Sequence, residues 1–169
     1  MDILERTNTE TDRDWVVGAL IFNERGQLYF HRRTFERRLF PGCWDIVGGH
    51  VEAGETVLEA LRREIHEETG WRLKEVIAPI LEIEWTAAGE HGPVHKREFD
   101  FVVRVEGDLA HPRLEEGKHD RFEWISPGTM DILRENRQAD DAFILDLAQK
   151  GFAYLKRGRD SDPSPREKP

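Results

Sequence analysis

Cysteine is nearly absent from this chain of 169 residues, in which Cys43 is the only one. A single cysteine cannot form a disulfide within the chain, and it excludes a zinc site built from several thiolates. So few thiols are typical of a reducing compartment, and we therefore expect a cytoplasmic location. We interpret Cys43 as a small packing residue beside Trp44 rather than as a nucleophile.

Long apolar runs and an excess of positive charge are also lacking. The N-terminus is polar and charged, without the apolar stretch of a secretory signal, and no later run reaches the length of a membrane span. Against 25 Lys and Arg residues stand 34 Asp and Glu residues, a formal net charge of −9. Proteins that coat duplex nucleic acid need clustered Lys and Arg. We therefore expect neither a nucleic-acid duplex nor a membrane as a partner.

The length is enough for one domain with its own apolar core. Three segments differ in composition. We expect a loose polar lead-in at residues 1–13, a folded domain at 14–157, and a disordered, charged, Pro-rich tail at 158–169.

Within the domain, the apolar pattern alternates between the periods of strands and helices. Strands are predicted at 15–22, 27–32, 44–47, 76–85, 98–105 and 122–125, with the first two joined as a hairpin, and a C-terminal helix is predicted at 140–155. This order favours an α/β fold, a mixed β-sheet flanked by helices.

The clearest helix is predicted at residues 56–69. Thr56 can cap its start with Glu59 in a capping box, and Gly70 can end it. Its apolar positions fall on one stripe that we expect to face the core, namely Val57, Leu58, Leu61 and Ile65.

Three carboxylates lie on another face of this helix. Glu64, Glu67 and Glu68 are spaced i, i+3 and i+4, where like charges repel by roughly a few tenths of a kcal/mol per pair. A hard divalent cation relieves that repulsion, because clustered oxygens are the ligands that magnesium prefers. Gly48 and Gly49 precede the helix and let the backbone approach closely, so a carbonyl can complete the coordination. The alternative interpretation is an ordinary solvated helix face.

The carboxylates belong to a longer pattern: Gly49, five residues, Glu55, seven residues, Arg63-Glu64-Ile65, one residue, Glu67-Glu68, one residue and Gly70. This spacing resembles the Nudix box, here Gly49–Trp71. Trp71 is the one departure, since an aliphatic residue is usual there. The resemblance implies a Nudix-type α/β/α sandwich and a hydrolase that cleaves a phosphoanhydride bond of a nucleoside diphosphate linked to another moiety.

The resemblance also implies roles for the matching positions. The catalytic residues would be Glu55, Arg63, Glu64, Glu67 and Glu68, and the metal ligands would be Glu64, Glu67, Glu68 and the Gly48 carbonyl. The metal would be Mg²⁺, for which Mn²⁺ can substitute, and it would activate a water for attack on phosphorus. Arg63 would pair with either Glu55 or Glu64. The partner would be a nucleotide-like small molecule, and a homodimer is left open.

Residues outside the box are candidates for binding the substrate. Arg32 and Arg33 could contact phosphates, although a solvated basic loop is an equal alternative. The resemblance suggests a further acidic group from the loop at 114–120. We favour Glu116, because the following Gly117 gives the chain freedom to turn it inward. His119 is the alternative base, with an unperturbed pKa near neutrality. A polar surface turn is the competing interpretation of this loop.

Two other functions share this fold. An isopentenyl-diphosphate isomerase is similar in its Pro-Gly-x-Trp approach to the box, here residues 41–44, but the cysteine expected before its Gly-His pair is Gly48 in this chain. A non-catalytic nucleotide-sensing module would tend to lose box glutamates, and none is missing. The hydrolase is therefore the favoured function, with its substrate left open.

Overall fold

The structure is a computed structural model that describes residues 2–160, with side chains described to residue 158. The elements in chain order are a 3-10 turn (Ile3–Glu5), β1 (Arg13–Ile21), β2 (Leu28–Arg33), β3 (Trp44–Asp45), β4 (Val47–His50), α1 (Val57–Thr69), β5 (Arg72–Gly89), β6 (Gly92–Glu106), β7 (His119–Ile125), a 3-10 helix (Pro127–Arg134) and α2 (Phe143–Asp160). Helix α2 thus extends three residues into the predicted tail, and the rest of that tail, 161–169, lies outside the described residues.

The strands form two sheets. The larger has the order β4-β1-β6-β5 and the smaller the order β3-β2-β7. Because β1 runs parallel to β6 and antiparallel to β4, the larger sheet is mixed, as predicted. The predicted hairpin between the first two strands is wrong: they share one bridge, Phe22 with Leu28, and then enter different sheets. Since β4 and β6 occupy both edges of β1, no edge is left for β2.

Successive residues of β1 point into two different cores. Ala19 and Ile21 pack in the core that contains Leu61 and Ile65 of α1, whereas Leu20 packs in the core that contains α2. This is the period of two expected for a strand covered on both sides. Each fully buried aliphatic side chain contributes about 1.5–3 kcal/mol. The predicted α/β/α sandwich, with a mixed sheet flanked by helices, is confirmed.

The segment expected to be a loose lead-in instead packs on the domain. Ile3 and Leu4 contact the α1-side core, and the carbonyl of Arg6 accepts a hydrogen bond from the N–H of Val57 at 3.0 Å. This contact satisfies one of the unpaired N–H groups at the start of α1. Two apolar residues in a polar segment were too weak a pattern to predict this contact.

The hairpin of β5 and β6 is longer than the pattern indicated. The two strands pair from Arg72 with Glu106 as far as Gly89 with Gly92, across three register shifts. The outer residues of this hairpin alternate too weakly in polarity to be predicted as strand. Across the part of the chain that the structure describes, none of the helices combines the length and the apolar character needed to cross a membrane.

Candidate active site

Helix α1 begins and ends as its sequence predicts. The Thr56 hydroxyl accepts from the N–H of Glu59 at 3.1 Å, the Glu59 carboxylate accepts from the N–H of Thr56 at 2.8 Å, and Gly70 ends the helix at a φ of 75°. These two caps fix which residues face the sheet. Glu64 and Glu68 are buried beside β4, with exposures of 7% and 5%, while Glu67 on the same face is exposed to solvent.

Arg63 holds this acidic face together. Its Nε and Nη2 atoms donate to the two carboxylate oxygens of Glu55, both at 2.9 Å. Its Nη1 donates to Glu64 at 2.7 Å and lies 3.4 Å from Glu67, and its Nη2 also donates to the carbonyl of His50 at 2.8 Å. Both partners that the box suggested for Arg63 are therefore in contact with it. The paired guanidinium lowers the pKa of Glu55 and keeps that carboxylate ionised.

The two glycines of β4 let the acidic face approach the sheet. The N–H of Gly48 donates to Glu68 Oε2 at 2.9 Å. A Cβ at Gly49 would overlap the carboxylate of Glu64, so the glycine is needed there for space. The sequence suggested the carbonyl of Gly48 as a ligand, and the structure shows that its N–H already orients one of the box carboxylates.

The buried carboxylates have perturbed pKa values. Burial raises the pKa of Glu64, which Arg63 partly offsets, and raises that of Glu68 well above its ordinary value. Neighbouring carboxylates add to both shifts, because Glu67 acts on Glu64 and Glu64 acts on Glu68. A cluster of carboxylates with raised pKa values binds either a proton or a cation, and all the ligand atoms of this cluster are oxygens.

The loop before β7 also brings a carboxylate to this site, but it belongs to Glu115 rather than Glu116. Glu116 is exposed. Glu115 is partly buried and acts on the pKa of Glu68, and its Oε2 has no hydrogen-bond partner among the described residues. The reason is a turn in which the N–H groups of Lys118 and His119 both donate to the carbonyl of Glu115 at 3.1 Å. The freedom of Gly117, on which the prediction relied, does not determine which acid faces inward.

His119 is buried, and its expected unperturbed pKa is wrong. Its ring stacks on that of His31 with centroids 3.5 Å apart and planes 13° from parallel. Burial lowers the pKa of His119 to about 2 and that of His31 to about 3, so both rings are neutral. A base with so low a pKa is a weak proton acceptor at neutral pH. The apolar residues that precede it in β2, Leu28, Tyr29 and Phe30, were the available sequence signal that His31 is buried.

The two rings and Glu68 offer ligand atoms within 4.8 Å of one another. However, the lone pairs of nearly parallel stacked rings run side by side rather than converging on one ion. The Nε2 of His31 also lies 3.1 Å from the carbonyl oxygen of Ile46. Because a carbonyl oxygen only accepts, this nitrogen carries the N–H and has no lone pair to offer an ion. The oxygen-rich face of α1 therefore suits a hard cation better than the two imidazoles do.

The two candidate arginines of β2 have different surroundings. Arg32 makes a bidentate pair with Asp120, at 2.8 and 2.9 Å, and its guanidinium is thereby already occupied. Arg33 lies 3.5 Å from Asp45, and its charge lowers the pKa of both buried histidines. The structure thus places Arg33 beside Asp45 and the two buried histidines, whereas Arg32 is paired with Asp120.

Several curated proteins are similar to this chain over 34% to 43% of its length. A Nudix hydrolase of Nostoc is 43% identical over 67 residues, 39% of this chain and 40% of that protein. The nucleoside triphosphatase NudI of Escherichia coli is 48% identical over 58 residues, 34% and 40% respectively. The m7GpppN-mRNA hydrolase NUDT17 of Xenopus laevis is 42% identical over 72 residues, 43% and 24%. The chain thus aligns with two fifths or less of these relatives' lengths.

Solved structures share the fold over most of the chain. A Nudix hydrolase from Nitrosomonas europaea has a TM-score of 0.65 at 20% identity, covering 84% of this chain and 90% of its own. The E. coli ORF135 protein has a TM-score of 0.62 at 24% identity, with coverages of 89% and 96%. The NUDIX domain family matches residues 12–147. The box, the fold and this match lead to one conclusion: the chain belongs to the Nudix hydrolase family.

Proposed function

We propose that this protein is a magnesium-dependent hydrolase that cleaves a phosphoanhydride bond in a nucleoside diphosphate linked to another moiety. The observation that carries the proposal is the convergence of Glu64, Glu68 and Glu115, three carboxylates from two elements, at one partly buried place. Buried like charges are costly unless a cation or a proton compensates them.

The residues present fit a hard divalent cation. Glu64, Glu67, Glu68 and the Gly48 carbonyl would hold it, and they provide oxygen atoms only. When bound, such an ion neutralises charge on the diphosphate and lowers the pKa of a bound water; Mn²⁺ can substitute for Mg²⁺.

The protein's own groups supply orientation and proton transfer. Arg63 keeps Glu64 and Glu55 in fixed positions through its three charged hydrogen bonds, so the acidic face needs little reorganisation when substrate binds. Glu115 Oε2 has no hydrogen-bond partner in the part of the chain that the structure describes, and it accepts the proton of the attacking water. Arg33, beside the site, provides positive charge for the substrate phosphates.

The names of the relatives favour the same substrate class. One is named a nucleoside triphosphatase and another an m7GpppN-mRNA hydrolase. The first name supports a nucleotide-like small molecule, which is the substrate that we propose here. We place the enzyme in the cytoplasm and assign the activity to the domain at 14–157, with no nucleic-acid duplex or membrane as partner.

The test is a hydrolysis screen in Mg²⁺, in Mn²⁺ and in excess chelator. The substrates are nucleoside triphosphates, oxidised nucleotides, ADP-ribose and dinucleoside polyphosphates. The readout is chromatographic separation of the nucleotide products, because ADP-ribose and dinucleoside polyphosphates release neither phosphate nor pyrophosphate. We expect turnover of at least one substrate that stops in chelator. Glu67→Gln should lower kcat by orders of magnitude without unfolding the protein, because Glu67 is exposed and outside the core. Turnover that is unchanged in chelator contradicts the proposal.

A further inference from the structure

A row of polar side chains runs along β6 on the face opposite α1. Lys96, Glu98 and Asp100 alternate with Phe99 and Phe101, which pack in the α1-side core. All three polar residues are nonetheless buried, with exposures of 7%, 9% and 0%. Burying ionisable groups costs free energy unless they have partners, and none of the three belongs to the Nudix box.

One donor aligns the carboxylate of Glu98. The indole N–H of Trp85 donates to Glu98 Oε2 at 2.6 Å. Asp100 lies over Gly18, where a Cβ would overlap its carboxylate, and neither of its oxygens has a donor among the described residues. Burial and the nearby Glu98 raise the pKa of Asp100 well above its ordinary value. Burial also raises the pKa of Glu98, to about 7, so that the two adjacent carboxyl groups share a proton near neutral pH; with that proton on Asp100, the carboxylate of Glu98 is free to accept.

Lys96 is two residues away on the same strand, at a Cα spacing of about 7 Å, and carries a donor on the same face. Its ammonium lies 3.2 Å from Asp14 and 2.7 Å from His50 Nε2, and 6.0 Å from the ring centre of Trp85. The side chains of Asp14 and His50 are more than half exposed, so this end of the row opens to solvent.

The row begins beside the proposed catalytic face. His50 is the last residue of β4, and its carbonyl accepts from Arg63 at 2.8 Å. On the same strand, Gly48 and Gly49 contact the carboxylates of the box. A ligand whose phosphates lie on the glutamates can therefore extend its other end along the row.

We propose that Lys96 and Glu98 recognise the Watson–Crick edge of a guanine base in the substrate, a proposal that rests on the proposed function. Guanine offers a carbonyl acceptor, O6, next to two kinds of donor, N1–H and the 2-amino group. A donating ammonium followed by an accepting carboxylate matches that order. Adenine presents an amino donor where Lys96 requires an acceptor, and Trp85 provides an aromatic surface against which a base can stack.

The test measures binding of GMP, IMP and AMP by calorimetry. These monophosphates have no phosphoanhydride bond, so their affinity does not depend on hydrolysis. We expect GMP to bind about tenfold tighter than IMP, which lacks the 2-amino group, and about a hundredfold tighter than AMP. Glu98→Gln should weaken GMP binding by about tenfold to a hundredfold and remove most of the preference over AMP. The control Glu82→Gln, an exposed position on β5, should change neither value.

A second variant, at Lys96, tests the same inference even if Glu98→Gln does not fold. Lys96→Met removes the donor to O6 and should weaken GMP and IMP binding by similar factors while leaving AMP unchanged. Equal affinities of the wild-type protein for the three nucleotides, or a guanine preference that is undiminished in Glu98→Gln, overturns the inference. Metal-dependent hydrolysis without guanine preference refutes only the base recognition. A guanine preference without any hydrolysis refutes only the proposed function.

Discussion

Replacing Glu115 and Glu116, the two adjacent glutamates of the β6–β7 loop, by glutamine one at a time is the most direct test of the proposed general base. Glu115→Gln should lower kcat by about 10²- to 10⁴-fold, the range for loss of a general base, with a small effect on KM. Glu116→Gln should leave both values within about twofold, because surface substitutions rarely matter and this side chain is exposed. The pair has the same chemistry and the same loop, so each variant is the control for the other.

The structure also indicates that Glu115→Gln should keep its stability. The change removes a partly exposed ion pair with Lys118 at 2.7 Å, worth about 0–1 kcal/mol. It also removes repulsion of the buried Glu68, an effect of opposite sign. We expect a net change within about 1 kcal/mol, or a shift in Tm of about 2–4 °C. Initial rates from pH 6 to 9, with Tm measured in parallel, provide the assay. Equal rates for Glu115→Gln and the wild type, or an equal loss in Glu116→Gln, would refute the assignment.

Three further predictions follow from contacts around the acidic face. Gly49→Ala should abolish most activity and lower Tm, because its Cβ would displace the Glu64 carboxylate; normal kinetics would contradict the steric argument. Arg63→Lys should lower kcat by at least about tenfold, since an ammonium cannot reproduce the bidentate contact with Glu55, and wild-type turnover in this variant counts against that role. In chelator, the lowered pKa values of His31 and His119 mean that the unfolded chain protonates these rings below about pH 6.5 while the folded protein does not, so each ring contributes a loss of stability towards pH 3 of up to about 1.4 kcal/mol per pH unit. The buried carboxylates with raised pKa values, Glu68 and Asp100 among them, contribute with the opposite sign. Denaturant titrations should show this slope reduced in His31→Gln, and an unchanged slope means that the rings titrate normally.

The sequence was most informative where local chemistry determines the structure. The caps of α1 and the spacing of its glutamates depend on residues within one or two turns, and both were predicted correctly. The partner of β2 depends on contacts between distant segments, which no local pattern encodes. The inward position of Glu115 depends on turn hydrogen bonds within its own loop, which the residue types alone did not indicate. His119 shows the same difference, because its pKa is set by its burial against His31, 88 positions earlier in the chain.

The position of β1 at the centre of the larger sheet has a consequence for how the chain folds. Its parallel partner β6 lies far along the sequence, since Val16 pairs with Glu98. During synthesis at about 5–20 residues per second, β1 therefore waits several seconds before that partner leaves the ribosome. In that interval one edge of a strongly apolar strand is unpaired and can join another chain. High contact order of this kind slows folding, and the yield of soluble protein should respond to temperature and chaperones during expression.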